Sequence, residues 1–257
     1  MRKTIIAGNW KMYKTISEAI ELVNALKREL FKLDGDDIDI VLCPPFTALS
    51  NVFETLAESN MQLGAQDVFW EEEGAFTGEV SCRMLKDAGC KFVIIGHSER
   101  RQYFGETNES VNKKVKAVLK EGLVPIMCVG ETIGERERGL TFEVLENHLK
   151  GGLKDISAQE AENLVIAYEP VWAIGTGKTA TPDQAQEAHK YIRRTLATMY
   201  GSELASSIRI QYGGSVKAEN ISGIMQQEDV DGALVGGASL KTESFAAIVK
   251  KASEVIK

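Results

Sequence analysis

The chain has 257 residues, of which 44% are hydrophobic and 26% charged, with a formal net charge of −7. This composition is typical of a globular protein, and no apolar run approaches the roughly 20 residues that a membrane-spanning helix needs. An acidic chain is not expected to bind nucleic acid or anionic membranes in general, so attraction for a small anion has to come from a few local cations and backbone N–H groups.

Eight short runs rich in Val and Ile recur between helix-like segments along the whole chain. They are residues 4–9, 38–43, 61–66, 92–96, 123–129, 164–168, 208–212 and 233–236. The runs are apolar throughout rather than alternating, as expected for strands of a parallel sheet that is buried on both faces. Eight strand–helix units in a chain of this length predict a single-domain (β/α)8 barrel, the TIM barrel fold, over residues 1–257.

A doubly wound open sheet is the alternative to the closed barrel. Such a sheet normally carries a Gly-x-Gly-x-x-Gly turn after its first strand, whereas this chain has Gly8-Asn9-Trp10-Lys11 there. No linker, charge block or repeat divides the chain, so one domain is the simpler interpretation. In a closed barrel the residues that follow each strand share one face, where the chemistry of such enzymes is found.

The segments between the strands show helical periodicity. Segment 16–31 has Lys and Glu on one face and five apolar residues on the other, namely Ala19, Leu22, Val23, Leu26 and Leu30. Thr181 followed by Pro182 predicts the N-cap and first residue of a later helix. Thr242 or Ser244 offers a similar start for the last helix.

The cysteine pattern indicates thiols rather than disulfides. None of the four cysteines has a Cys-x-x-Cys neighbour, and three adjoin strand-like runs; they are Cys43, Cys82, Cys90 and Cys128. Reduced, buried thiols in a cytoplasmic protein are therefore expected.

Asn9 ends the first strand-like run, and Lys11 follows it. A lysine directly after a barrel strand would point its ammonium into the barrel mouth, where it could neutralise a phosphate or a developing oxyanion. A solvated surface lysine is the simpler alternative when Lys11 is considered by itself.

The connection from Asp67 to Gly78 is long and has no helical pattern. Loops of this kind are usually functional or disordered, and the apolar residues Val68, Phe69 and Phe76 argue against disorder. Because an apolar loop tip exposed on a monomer would be a liability, we expect this loop to dock into another chain.

His97 and Ser98 follow the fourth strand. The other two histidines, His148 and His189, lie in helix-like segments and are expected at the surface, which leaves His97 as the candidate for chemistry. If a helix begins after His97, the positive end of its dipole should disfavour the imidazolium and keep the ring neutral. A structural histidine that caps a turn is the alternative.

The sixth strand-like run is followed by Glu169 and Pro170, then by large apolar residues and glycines up to Lys178. Pro170 disfavours the helical conformation for the residue before it and so holds Glu169 extended. The remaining residues have the composition of a lid that hinges on glycine. A solvated strand exit is the alternative for Glu169.

Paired glycines follow the last two strands. Gly213-Gly214 follows the seventh run and precedes Ser215, and Gly236-Gly237 stands at the end of the eighth run. Glycines let backbone N–H groups approach an anion closely, and phosphate sites in barrels are frequently built from these two loops. Both pairs together predict a phosphate site, to which Gly175 of the lid could add another N–H.

Five segments at these strand ends resemble the signature segments of the triosephosphate isomerase family. They are Asn9-Trp10-Lys11-Met12, Gly96-His97-Ser98-Glu99-Arg100-Arg101, Tyr168-Glu169-Pro170-Val171-Trp172-Ala173-Ile174-Gly175-Thr176-Gly177, Tyr212-Gly213-Gly214-Ser215 and Leu234-Val235-Gly236-Gly237-Ala238. The segments occur in the family's order and span nearly the whole chain. No position that carries the chemistry departs from the family pattern.

The resemblance implies interconversion of dihydroxyacetone phosphate and D-glyceraldehyde 3-phosphate through an enediolate, in glycolysis and gluconeogenesis. Glu169 would be the base that takes the proton from carbon. Neutral His97 would polarise the carbonyl and shuttle protons between oxygens, while Lys11 and Asn9 would stabilise negative charge. Glu99 lies close to Lys11 in the family and has a less settled role.

The resemblance also assigns the substrate contacts. They are Asn9, Lys11, Gly175, Ser215, Gly236 and Gly237. A lid closed over them would keep water away from the enediolate phosphate, which can otherwise lose its phosphate. No organic cofactor or metal is implied.

In the family, the loop matching Asp67 to Gly78 inserts into a partner subunit, so a homodimer is expected, with Thr77 near the partner's Asn9 and the partner's Lys11. Two alternatives stay open. One is another phosphate-binding barrel enzyme; a Schiff-base aldolase, for example, would need a lysine inside a strand. The other is a dimeric scaffold that has lost the reaction.

Overall fold

Eight parallel strands close into a single barrel in chain order, with the last strand pairing with the first. The computed structural model describes residues 2–33, 35–175 and 179–255. The strands are β1 (Thr4–Asn9), β2 (Ile38–Cys43), β3 (Met61–Ala65), β4 (Phe92–Ile95), β5 (Val124–Val129), β6 (Val165–Tyr168), β7 (Arg209–Tyr212) and β8 (Gly232–Val235). This topology confirms the predicted (β/α)8 barrel and excludes the open sheet.

Every predicted strand boundary lies within one residue of the observed one. The largest difference is in β8, which begins and ends one residue earlier than predicted. Gly232, the residue that the apolar pattern omits, pairs with Ile5 of β1. A Cβ on Gly232 would lie 1.9 Å from the Ile5 carbonyl oxygen, so the close approach of these strands requires glycine.

Helices cover the outside of the barrel between the strands. They are α1 (Ile16–Leu30), α2 (Leu49–Thr55), α3 (Cys82–Asp87), α4 (Ser98–Phe104), α5 (Asn108–Lys120), α6 (Ile133–Glu137), α7 (Thr141–Gly152), α8 (Pro182–Tyr200), α9 (Ser202–Ser207), α10 (Ile221–Met225) and α11 (Thr242–Ser253). None of the helices found in these parts of the chain is long and apolar enough to cross a membrane.

The predicted faces and caps of three helices can be compared with the structure. The five apolar residues predicted for α1 are all buried. Thr181 caps α8, since its hydroxyl accepts from the Gln184 N–H at 3.2 Å and the Gln184 side chain accepts from the Thr181 N–H at 3.0 Å. The last helix does begin at Thr242, but Lys241 is its N-cap and no side chain caps it.

The apolar runs are continuous because alternate residues of each strand enter two different cores. Ile5 and Ala7 belong to a cluster inside the barrel, together with Phe92 and Ile126. Ile6, between the first two, belongs to the larger layer between strands and helices. Both faces of each strand are therefore excluded from water, as expected for a parallel barrel.

The four cysteines are free and buried, as predicted. Burial raises the pKa of the Cys82 thiol to about 11 and that of the Cys90 thiol to about 12. Thiols with these pKa values are largely protonated at neutral pH and are poor nucleophiles.

The long connection between β3 and α3 is organised by contacts between tilted aromatic rings. The Phe69 ring centroid lies 4.1 Å from that of Trp70 and 4.7 Å from that of Phe76. Residues 71–79 are nevertheless exposed, and Phe76 keeps 42% of its surface in contact with solvent. The loop is thus ordered by its own side chains while presenting an apolar residue outward.

Candidate active site

The residues that follow the strands meet at one end of the barrel around a cavity of about 370 Å³. The predicted site residues on its walls are Asn9, Lys11, His97, Glu169, Gly175, Ser215, Gly236 and Gly237. Glu99 is the one that does not line the cavity, although it contacts Lys11. Trp10, Tyr13, Lys217 and Leu240 also line the cavity and had not been predicted.

Lys11 is held in an unusual backbone conformation at the end of β1. Its φ of 52° lies in the left-handed region, which costs a non-glycine residue about 1–3 kcal/mol. The Lys11 N–H donates to Asn9 Oδ1 at 2.9 Å, and its carbonyl accepts from Gln66 Nε2 at 2.8 Å. The ammonium Nζ lies 2.5 Å from Glu99 Oε1. These contacts fix both the backbone and the charged end of Lys11.

Glu169 follows β6 and is almost completely buried. Its N–H donates to the Val129 carbonyl of the neighbouring strand at 2.8 Å. One carboxylate oxygen, Oε2, accepts from the Ser98 N–H at 2.9 Å, and the other, Oε1, lies 2.9 Å from His97 Nε2. Both oxygens of the carboxylate are therefore engaged by the start of α4.

His97 is the N-cap of α4, and its Nδ1 accepts from the Glu99 N–H at 3.2 Å. A ring nitrogen that accepts a hydrogen bond carries no proton, so the neutral tautomer protonated on Nε2 fits both ring contacts. Burial is the largest single influence on the pKa of His97 and lowers it, but the Glu169 and Glu99 carboxylates together outweigh burial and raise that pKa above its ordinary value. The prediction of a neutral ring from the helix start alone is therefore incomplete, because it omits these carboxylates.

The site contains the groups that proton transfer next to a carbonyl needs. Burial raises the pKa of Glu169, but His97, the Ser98 N–H and Lys11 together hold it below the usual glutamate value. Glu169 is thus ionised at neutral pH, with a ring N–H and an ammonium in the same cavity, which supplies a base, an electrophile and a cation. In the described parts of the chain no group of three or more His, Cys, Asp or Glu residues could hold a metal ion.

The wall between Glu169 and Lys11 is formed by the glycine-rich loops after β7 and β8, the two strands that lie between β6 and β1. A Cβ on Gly214 would lie 2.2 Å from the Tyr212 hydroxyl oxygen, so only glycine fits there. A Cβ on Gly236 would lie 3.5 Å from Lys11 Cε, an ordinary van der Waals distance, so this loop and the Lys11 side chain are neighbours. Gly236 is followed by a 3-10 turn, Gly237–Leu240. Short side chains here let an anion approach the backbone N–H groups.

The predicted lid is described as far as Gly175, and its far hinge at residues 176–178 lies outside the described residues. Its first part forms a 3-10 turn, Val171–Ala173. Gly175 has a φ of 68°, a conformation that favours glycine, and lines the cavity together with Ile174.

The start of the lid is held by hydrogen bonds to a buried carboxylate. No sequence pattern had indicated this residue. Glu131 is fully buried and accepts from Trp172 Nε1 at 2.8 Å, from the Tyr168 hydroxyl at 3.1 Å and from Arg136 Nη1 at 3.1 Å. The available signal was its position directly after the fifth strand and Gly130, since the other strand ends carry the predicted site residues.

The prediction that the two remaining histidines lie at the surface is wrong for His189, which is fully buried on α8. It also fails for His148, which is half-buried on α7, where burial lowers its pKa to about 4. The helical pattern contained the signal for His189, because this residue lies four positions after Ala185 and three before Ile192, both of which are buried.

Comparison with known proteins gives a consistent result along the chain. The family model described as triosephosphate isomerase matches residues 4–252. Proteins named triosephosphate isomerase from Geotalea uraniireducens (strain Rf4), Carboxydothermus hydrogenoformans and Citrifermentans bemidjiense are 61%, 60% and 59% identical to this chain over 250 residues. Each alignment covers 97% of this chain and 99% of the relative.

Proposed function

We propose that the cavity at the ends of the barrel strands is the active site of this chain, which belongs to the triosephosphate isomerase family. The protein is a cofactor-independent isomerase that interconverts dihydroxyacetone phosphate and D-glyceraldehyde 3-phosphate, a reaction of glycolysis. The observation that carries the site proposal is the contact of Glu169 with His97 at 2.9 Å in a cavity that also holds Lys11.

Glu169 acts as the base that takes the proton from the substrate carbon. Its two oxygens are occupied by the Ser98 N–H and His97 Nε2, so the carboxylate has to give up at least one of these contacts to reach substrate. When Glu169 leaves His97, the Nε2–H becomes available to the substrate carbonyl oxygen. The proton transfer and the polarisation of the carbonyl are thereby linked through one hydrogen bond.

Lys11 stabilises the negative charge that develops on the enediolate. Asn9 and Gln66 hold its backbone, and Glu99 binds its ammonium at 2.5 Å. Glu99 does not line the cavity, so we assign it to the placement of the Lys11 ammonium rather than to the reacting atoms. A fixed cation needs no reorganisation as the charge appears.

The phosphate of the substrate is bound by backbone N–H groups of the lid and of the two glycine-rich loops. The residues assigned to it are Gly175, Ser215, Gly236 and Gly237. Together with Lys11, they supply the local attraction that a chain with a net charge of −7 needs in order to bind a dianion.

Gly237→Asp is expected to weaken competitive inhibition by inorganic phosphate by at least about tenfold, since each 1.4 kcal/mol lost is a factor of ten. No atom lies within 4 Å of a Cβ at this position in the free protein, so the side chain is accommodated until the anion arrives. Gly237→Ala separates crowding from charge and should retain more phosphate affinity. Unchanged inhibition of Gly237→Asp by phosphate would count against this placement of the anion.

We propose that the protein is a homodimer formed through the loop from Asp67 to Gly78. Large apolar side chains are exposed after β1, β2, β3 and β4, which are neighbours in the barrel, so these side chains crowd one side of its mouth. They include Met12, Tyr13, Phe46, Phe76, Met84 and Phe104. Thr77, at the exposed tip, is then placed near the partner's Asn9 and the partner's Lys11.

Phe76→Asp is expected to convert the dimer into monomers and to lower activity with it, because a charge replaces apolar surface at the interface. Light scattering at micromolar concentration should report about twice the 28.2 kDa chain mass for the wild type. The control is Phe31→Asp, which changes a more exposed phenylalanine at the end of α1. A monomeric, fully active wild type would overturn the proposal.

We place the protein in the cytoplasm, with the reaction serving gluconeogenesis as well as glycolysis. Four free buried cysteines suit a reducing compartment. The acidic net charge gives no general attraction for nucleic acid.

The experiment that tests the function is a coupled assay of glyceraldehyde 3-phosphate isomerisation on the purified wild type. Turnover is expected, and its absence would leave the dimeric scaffold as the better explanation. The Schiff-base aldolase is not supported, since none of the eight strands contains a lysine.

A further inference from the structure

A second cavity, of about 290 Å³, lies behind the carboxylate that the proposed function assigns as the base. Glu169 lines both this cavity and the active-site cavity. His148, Cys128 and Gly130 are among the other residues on its walls. His148 belongs to α7 and does not line the active-site cavity, so no part of the proposed mechanism uses it.

The backbone of Glu169 is aligned on the segment that follows β5. The Val129 carbonyl accepts from the Glu169 N–H at 2.8 Å, and the Glu131 carbonyl accepts from the Val171 N–H at 3.1 Å. Gly130, between the two acceptors, is packed directly on Glu169: a Cβ added to Gly130 would lie 1.7 Å from the Glu169 carbonyl oxygen. A shift of Gly130 therefore shifts the backbone that carries the base.

On its other side, Gly130 is held by His148. The Gly130 N–H donates to His148 Nδ1 at 3.4 Å. The β4–β5 pairing reaches only Ile95 and Met127, so the ladder ends before Gly130 and offers it no partner there. The His148 side chain of α7 thus accepts the hydrogen bond from the Gly130 N–H that a neighbouring strand would otherwise accept.

We propose that His148 is a positioning residue for the isomerase reaction, which fixes Gly130 and, through it, the backbone of Glu169. The proposal rests on the assignment of Glu169 as the base. The acceptor is the unprotonated Nδ1 of a neutral ring, and burial keeps His148 neutral at ordinary pH by lowering its pKa to about 4. Arg101 is the nearby cation that opposes protonation of the ring, and Glu135 is the nearby anion that favours it.

Three substitutions distinguish the need for a hydrogen-bond acceptor at the Nδ1 position from the need for a side chain of this volume. His148→Asn places its side-chain oxygen close to the position of Nδ1, His148→Gln places its oxygen nearer to that of Nε2, and His148→Leu fills similar space without an acceptor. We expect kcat to fall about tenfold in the Gln and Leu variants with KM little changed, because a small misplacement of a catalytic group is costly. The Asn variant should keep most of the wild-type kcat.

The measurements are kcat and KM in the coupled assay, the midpoint of thermal unfolding, and amide hydrogen exchange of Gly130 in protein labelled with 15N-glycine. Equal kcat in the Asn and Gln variants, or a loss of kcat that simply follows the unfolding midpoint, would overturn the proposal. If a variant does not fold, exchange in the wild type decides: protection of the Gly130 amide supports the contact, and exchange as fast as a free amide overturns it. An inactive wild type would instead refute the proposed function.

Discussion

Glu169→Gln is expected to lower kcat for isomerisation by about 10²- to 10⁴-fold, the usual range for loss of a positioned acid or base. Glutamine has nearly the same shape as glutamate but cannot take a proton from carbon at neutral pH. The glycine-rich loops that bind phosphate in our proposal are untouched, so inhibition by inorganic phosphate should be nearly unchanged. A loss confined to kcat would place the change in the chemical step.

A second readout of Glu169→Gln is the titration of His97, followed by NMR of its ring. The Glu169 carboxylate raises the pKa of His97, so its removal should lower that pKa. Glu137→Gln, which changes an exposed glutamate of α6, is the control and should leave both kcat and the His97 titration unchanged. The base assignment is falsified if Glu169→Gln turns over substrate like the wild type.

Much of the site could be predicted because strand ends in a closed parallel barrel share one face. A sequence pattern that locates the end of each strand also locates the residues that meet there. Lys11, His97 and Glu169 are separated by up to 158 positions along the chain, yet all line one cavity. The closure of the barrel and the common direction of its strands were sufficient to bring them together, without knowledge of any side-chain contact.

Contacts made by backbone groups were not predictable in the same way. Glu169 accepts a hydrogen bond from the backbone N–H of Ser98. Every non-proline residue has such an N–H, so the residue type at this position does not predict the contact. Gln66 binds the Lys11 carbonyl across 55 positions of sequence and lies in a run that was read only as the end of a strand. The left-handed conformation of Lys11 is likewise a backbone property that apolar periodicity does not report.

The pKa of His97 was also not predictable from the sequence, because it depends on the distance between the ring and nearby carboxylates. A neutral ring was predicted on the condition that a helix starts after His97, but the carboxylate 2.9 Å from the ring comes from a strand end 72 positions away. In this buried site the Glu169 carboxylate, together with that of Glu99, outweighs the effect of burial and raises the pKa of His97. The protonation state of the His97 ring therefore depends on the contact between the residues after β4 and β6, which neither segment shows by itself.

Gly130→Ala is expected to lower kcat by about 10²-fold, which is the effect of moving a catalytic group by about 1 Å. A methyl group cannot remain 1.7 Å from the Glu169 carbonyl oxygen, so one of the two segments has to move. Overpacking of this kind also costs about 1–3 kcal/mol of stability. The measurement is kcat at a temperature well below the unfolding midpoint, which separates misplacement of the base from loss of folded protein.

The matched control for Gly130→Ala is Gly134→Ala, four residues further along the same connection. A Cβ on Gly134 meets no atom within 4 Å, and this residue lies in α6, where alanine favours the helix. The control should keep the wild-type kcat and gain up to about 1 kcal/mol of stability. If Gly130→Ala kept the wild-type kcat as well, the segment 129–131 would be able to move away from Glu169 without displacing the base. The contact between Gly130 and Glu169 would then have no part in holding the base.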